Sequence, residues 1–191
     1  MPLNIPNLLT WTRIILIPLF VGVFYVAPEW LAPAQQNLAA TVIFMIAAVT
    51  DWFDGWLARK LDQMSAFGAF LDPVADKLMV AAALIVLVHL ERTNAVVAMI
   101  IIGREIAISA LREWMAKIGA ARSIAVSFIG KIKTTAQMIA IPLLLYQGVI
   151  VGIDTGWLGD YLIWVAALLT LWSMGYYLKK AWPIISERSN T

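Results

Sequence analysis

Cysteine does not occur in this chain, and histidine occurs once. Disulfides and thiolate metal sites are therefore excluded, and the redox compartment is left open. Charge is scarce as well. Asp, Glu, Lys and Arg make up 14% of the 191 residues, where a soluble domain carries about 25%. That scarcity excludes intrinsic disorder, a secreted disulfide scaffold and an ordinary cytosolic enzyme. A formal net charge of +2 is too small to point to nucleic acid. What fills the chain is apolar: 62% of residues are hydrophobic and the mean hydropathy is +0.83. One spanning helix needs roughly 20 apolar residues, so about six fit, with little left for a soluble domain. The composition implies an all-α integral membrane protein of six transmembrane helices joined by short loops.

Apolar runs with boundary signals fall at about 8–26, 36–58, 68–90, 94–115, 132–152 and 157–180, each long enough to span. The breaks carry turn chemistry: Pro28 and Pro33, Asp62-Gln63, Glu91 to Asn94, Gly119 to Ser123, and Gly152 to Gly156. Pro18 and Pro142 lie inside runs and are expected to kink them. No internal repeat or linker is visible, so residues 1–191 read as a single domain. Ala32-Pro33-Ala34 loosely resembles a signal-cleavage site. However, residues 1–12 carry no Lys or Arg and the preceding apolar stretch is too long, so the first span is expected to be retained. With six spans, twelve of the fourteen Lys and Arg residues border the side shared by the two termini. Arg92 stands on the other side and Arg104 inside the fourth span. The positive-inside bias therefore predicts cytoplasmic N- and C-termini.

Four acids crowd that basic side: Asp51 and Asp54 at the end of the second span, Asp72 and Asp76 at the start of the third. Residues three or four apart share a helix face, so each pair points together, and a short connection lets the pairs converge. Four carboxylates at one place repel each other unless a counter-charge is present. Two divalent cations would supply it, and all-oxygen ligands suit Mg²⁺ or Mn²⁺. Two such ions clamp the attacking and leaving oxygens of a phosphoryl displacement. Gly55, Ala58 and Gly68 lie among the acids, where small residues allow close approach to the backbone. Arg59 is placed to pair with an acid or a phosphate, whereas Asp62 reads as a solvated loop residue.

The run Asp51-Trp-Phe-Asp54-Gly55-Trp-Leu-Ala58-Arg59, followed by Gly68-Ala-Phe-Leu-Asp72-Pro-Val-Ala-Asp76, resembles the signature of the CDP-alcohol phosphatidyltransferases. That signature is DxxDGxxAR, a short gap, then GxxxDxxxD, and no position departs from it. Three further stretches resemble the bacterial members of that family that use glycerol 3-phosphate. They are Asn4 to Arg13, Gly103 to Trp114, and Ser127 to Thr134. The resemblance implies a six-helix membrane fold, a homodimer, a bacterial inner-membrane location and an active site facing the cytoplasm. It implies that a metal-bound CDP-diacylglycerol, drawn from the membrane lipids, donates its phosphatidyl group to an alcohol and releases CMP. Carried over by residue, Asp51, Asp54 and Asp72 would be metal ligands. Asp76 would be a ligand or neighbour that also takes the acceptor proton. Gly55, Ala58 and Gly68 would line the cytidine site, with Asn7, Thr10 and Arg59 helping to hold the nucleotide.

The signature names the donor and leaves the acceptor open, since relatives use serine, inositol phosphate, glycerol 3-phosphate, choline or ethanolamine. A phosphorylated acceptor needs an anion site apart from the metals. Arg104 and Arg112 lie near one face of the fourth span, and arginine suits bidentate phosphate contacts. Lys131 and Lys133 approach from the fifth. The competing role for Arg104 is an ion pair with Glu105 or Glu113. With the wider resemblance, sn-glycerol 3-phosphate is the expected acceptor, with inositol phosphate or serine as the alternatives. His89 sits away from the acids and reads as an interfacial side chain. Intramembrane acids also mark ion pathways, but in transporters these lie near the midplane, within broken or repeated helices. Here they crowd one boundary, so an ion-coupled transporter is a remote alternative.

Overall fold

The computed structural model describes residues 5–61, 66–119 and 128–189, with side chains for 10–51, 68, 71, 73–119 and 130–186. The described residues form six helices. They are α1 (Ile5–Val23), α2 (Pro33–Leu61), α3 (Ala66–His89), α4 (Ala95–Lys117), α5 (Phe128–Tyr146) and α6 (Thr155–Ser189). Four of the six apolar runs coincide with a helix to within a few residues at both ends, and α6 continues past the end of the sixth run. Boundaries follow local chemistry. Pro33 opens α2, where a missing N–H costs nothing. Asn94 caps α4, its side chain accepting from the Val96 N–H at 2.8 Å. Pro18 and Pro142 fall within α1 and α5, and both helices continue through them.

The fifth run departs from expectation. Its helix stops at Tyr146, and residues read as the end of a span form a hairpin of β1 (Val149–Ile150) and β2 (Ile153–Asp154). Ile150 pairs with Ile153, leaving Val151 and Gly152 as the turn, with φ of 51° and 79°. Two successive left-handed residues make a type I′ turn, which matches the twist of paired strands. Gly156 accordingly belongs to α6 rather than to the loop.

Packing places the apolar surface on both sides of each helix. On α2, Ala40, Phe44 and Ala47 are buried one turn apart, while Leu38, Val42, Met45, Ile46 and Val49 are exposed. The buried face joins Phe20 of α1, Leu84 and Leu87 of α3, Ile101 of α4, Ile141 and Leu145 of α5, and Ile163 of α6 in one core. Alanines recur in that core and let backbones approach closely. A second cluster joins Ile108 and Met115 of α4 to Tyr177 and Ala181 of α6. Among the described residues, one helix, Thr155–Ser186, is long and apolar enough to cross a membrane, and Thr10–Val23 is a shorter apolar stretch.

Candidate active site

The polar interior begins on α1. Arg13 is buried to 1% and donates from Nη1 to Asp51 Oδ1 of α2 at 2.6 Å. Thr10, one turn earlier on α1, is buried beside it. From α2, Asp51 lines a cavity of about 160 Å³ that Asp76 and Lys77 of α3, Glu105 of α4, and Thr134 and Gln137 of α5 also line. A narrower gap of about 10 Å³, bounded by Arg13, Phe44, Asp76 and Met79, adjoins the same carboxylate. Four helices therefore contribute polar side chains to one space inside an otherwise apolar bundle.

Behind Glu105 stands a basic layer. Lys133 of α5, 1% exposed, forms a short ion pair with Glu105 Oε1. Arg104 reaches the same oxygen from Nη1 at 3.4 Å, and its Nη2 donates to Ser173 Oγ of α6 at 3.3 Å. The ring of Tyr177 holds two guanidiniums: Arg104 Cζ lies 5.7 Å from its centroid and Arg112 Cζ lies 5.3 Å from it. Arg112 Nη2 also donates to the Tyr177 hydroxyl at 3.3 Å. The Nε of each arginine is buried without a hydrogen-bond partner among the described residues. The competing role for Arg104, an ion pair with Glu105, is therefore present, and the same acid also takes Lys133.

Asp51 and Asp76, expected to face each other across two helices, share one cavity. Arg104, Arg112 and Lys133 gather behind its wall, while Lys131 is exposed on α5. Gly68 is buried in α3. The side chains of Asn7, Asp54, Gly55, Ala58, Arg59 and Asp72 lie outside the described residues. Their helices run unbroken, so Asp54 follows Asp51 by about one turn and Asp72 precedes Asp76 by one. Among the described residues no group of three or more potential metal ligands is assembled. Two of the four acids fall outside that set. The acids on the cavity offer oxygen donors, with neither thiolate nor imidazole among the residues that line it, and fit a hard divalent cation.

Arg13, Thr134 and Gln137 belong to this site and the sequence reading did not single them out. Arg13 and Thr134 close two of the stretches that resemble the family, without a role assigned to either. Gln137 carried a usable signal: it follows Lys133 by four residues in an apolar helix, so both share a face.

A model of the CDP-alcohol phosphatidyltransferase family matches residues 3–172. The chain belongs to this family. Among its relatives, the CDP-diacylglycerol–glycerol-3-phosphate 3-phosphatidyltransferases of Shigella flexneri serotype 5b (strain 8401) and Escherichia coli (strain K12) are each 52% identical to it. The match runs over 183 residues, covering 95% of this chain and 96% of each relative. The family signature thus runs along the two helices that carry the cavity's aspartates.

Proposed function

We propose that this chain transfers the phosphatidyl group of CDP-diacylglycerol to sn-glycerol 3-phosphate, giving phosphatidylglycerophosphate and CMP. The observation that carries this reading is the meeting of Asp51 and Asp76, from the two signature helices, on one cavity backed by Arg104 and Lys133. The activity that names the 52% identical relatives supports donor and acceptor alike.

Members of the family generally depend on a divalent metal. Asp51, Asp54, Asp72 and Asp76 would hold two Mg²⁺ or Mn²⁺ ions. When bound, such ions neutralise the pyrophosphate and stabilise charge on the attacking and leaving oxygens. The chain's own groups do the rest. Asn7, Thr10, Gly55, Ala58, Arg59 and Gly68 would seat the cytidine and its phosphates. Arg104, Arg112 and Lys133 would draw in the acceptor phosphate, with Glu105 keeping Lys133 and Arg104 aimed until it arrives, while exposed Lys131 would add positive charge on the outer face of α5. The acceptor's terminal hydroxyl attacks the phosphorus bearing the diacylglycerol. A new P–O bond forms as the bond to the CMP oxygen breaks, and Asp76 takes the hydroxyl proton.

The setting belongs to the same reading. The six helices form one domain that spans the bacterial inner membrane repeatedly, as a homodimer, with both termini and the cavity on the cytoplasmic side. The apolar outer face of α2 and the basic bias of one side support it. Purified protein in detergent, given Mg²⁺, CDP-diacylglycerol and labelled glycerol 3-phosphate, is expected to release CMP and label the lipid. The Asp76→Asn variant should lose turnover by at least about 10²-fold while still binding CDP-diacylglycerol. Turnover of serine or inositol phosphate in place of glycerol 3-phosphate would refute the acceptor assignment, and an active Asp76→Asn protein the proton-transfer role.

A further inference from the structure

Gln137 lines the cavity with a buried amide whose polarity has no evident use. It is 4% exposed, and its Oε1 is buried without a hydrogen-bond partner among the described residues. The other oxygens around it are engaged. Asp51 accepts from Arg13 and Glu105 from Lys133 and Arg104. The Thr134 hydroxyl donates to the Gly130 carbonyl at 2.9 Å, and Asp76 has the acceptor's attacking hydroxyl to serve. Burying an acceptor with no donor opposes folding and binding unless something supplies the donor. The terminal torsion of glutamine is broad, so the amide turns onto the cavity at little cost.

On these grounds we infer that Gln137 is a specificity-determining residue that accepts a hydrogen bond from the acceptor's middle hydroxyl. The inference rests on the reading of the acceptor as sn-glycerol 3-phosphate. That molecule carries a phosphate at one end, the attacking hydroxyl at the other and a second hydroxyl between them. The α5 face offers a matching sequence of groups. Lys133 lies at the level of the basic layer, and Gln137 lies one turn further on, about 6 Å along the helix axis, on the cavity that Asp76 also lines. An acceptor held by its phosphate beside Lys133 therefore extends past Gln137 on its way to Asp76. An acceptor without the middle hydroxyl leaves Oε1 buried and unsatisfied, and that mismatch supplies selectivity.

The test compares sn-glycerol 3-phosphate with 3-hydroxypropyl phosphate, which lacks only the middle hydroxyl, in detergent with Mg²⁺ and CDP-diacylglycerol. Wild-type kcat/KM is expected to be about ten-fold lower for the deoxy compound. Gln137→Met, close in shape, should raise KM for glycerol 3-phosphate about ten-fold with kcat and the KM for CDP-diacylglycerol little changed. With 3-hydroxypropyl phosphate the same variant should match wild type within about two-fold. A merely structural glutamine would lower both acceptors equally, and that result overturns the inference. Wild-type protein that uses the two acceptors equally well overturns it without any variant. Absence of CMP release with glycerol 3-phosphate would instead sink the acceptor reading, and this inference with it.

Discussion

Replacing Arg92 by Met should destabilise the protein without touching its chemistry. Arg92 follows α3 in the connection to α4 and is half-buried. Its Nη1 donates to the Leu145 carbonyl at 2.9 Å and, more weakly, to the Leu144 carbonyl at 3.4 Å. Its Nη2 donates to Asn37 Oδ1 of α2 at 2.7 Å. Leu144 and Leu145 lie in the last turn of α5, where carbonyls have no helical donor and the helix dipole is negative. Burial lowers the pKa of Arg92, but guanidinium starts so far above neutrality that it stays charged. A hydrogen bond from a charged donor contributes about 1.5–3 kcal/mol. Counting two good bonds and discounting for partial exposure, Arg92→Met should cost about 2–4 kcal/mol. For a chain of this size that is a fall in Tm of about 5–10 °C, read by thermal unfolding in detergent. Asn37→Leu, which removes one of the two bonds, should cost about half as much. CMP release below the transition should be unchanged, because Arg92 is roughly 20 Å along α3 from Asp76. A variant melting within about 2 °C of wild type would refute the reasoning.

Two further changes probe the connection between α5 and α6. A Cβ on Gly159 would stand 2.8 Å from Leu144 Cγ and 3.1 Å from the Leu144 backbone nitrogen. Gly159→Ala should therefore push the helices apart and cost about 1–2 kcal/mol, even though alanine favours helix; a higher Tm would contradict this. Val151 holds a φ of 51° while 95% exposed, so it is strained and packs against little. Val151→Asn should raise stability by about 1 kcal/mol, and an unchanged Tm would show that the turn is not strained.

Element existence was legible because hydropathy runs of span length admit little but helix, and the meeting of Asp51 and Asp76 was legible because a short connection lets adjoining helix ends converge. The hairpin was not. Val149, Ile150 and Ile153 are as apolar as any span, and Val-Gly is a weak turn signal beside Asn-Gly, so hydropathy alone carried the fifth run too far. Nor does local sequence set the rotation of one helix against another. That rotation decides that Arg13 meets Asp51 and that Gln137 rather than Lys131 faces the cavity. Glu105 shows the same gap: its neighbour Arg104 was a foreseeable partner, but Lys133, on another helix, was not.

The distribution of polarity bears on what holds the bundle together. Apolar side chains cover the outside of α2 as fully as the inside, while Arg13, Arg104, Lys133 and Gln137 are buried. In the proposed bilayer setting, lipid solvates the outer face as well as a neighbouring helix would, so burying leucine contributes little to assembly. Adhesion between helices then falls to close packing and to the ion pairs that cross it: α1 to α2 through Arg13 and Asp51, α4 to α5 through Glu105 and Lys133. Asp51, proposed to hold metal, and Lys133, proposed to draw in the acceptor phosphate, are thus also fasteners of the scaffold. Catalysis and cohesion draw on the same few charges, so neither can be retuned without disturbing the other.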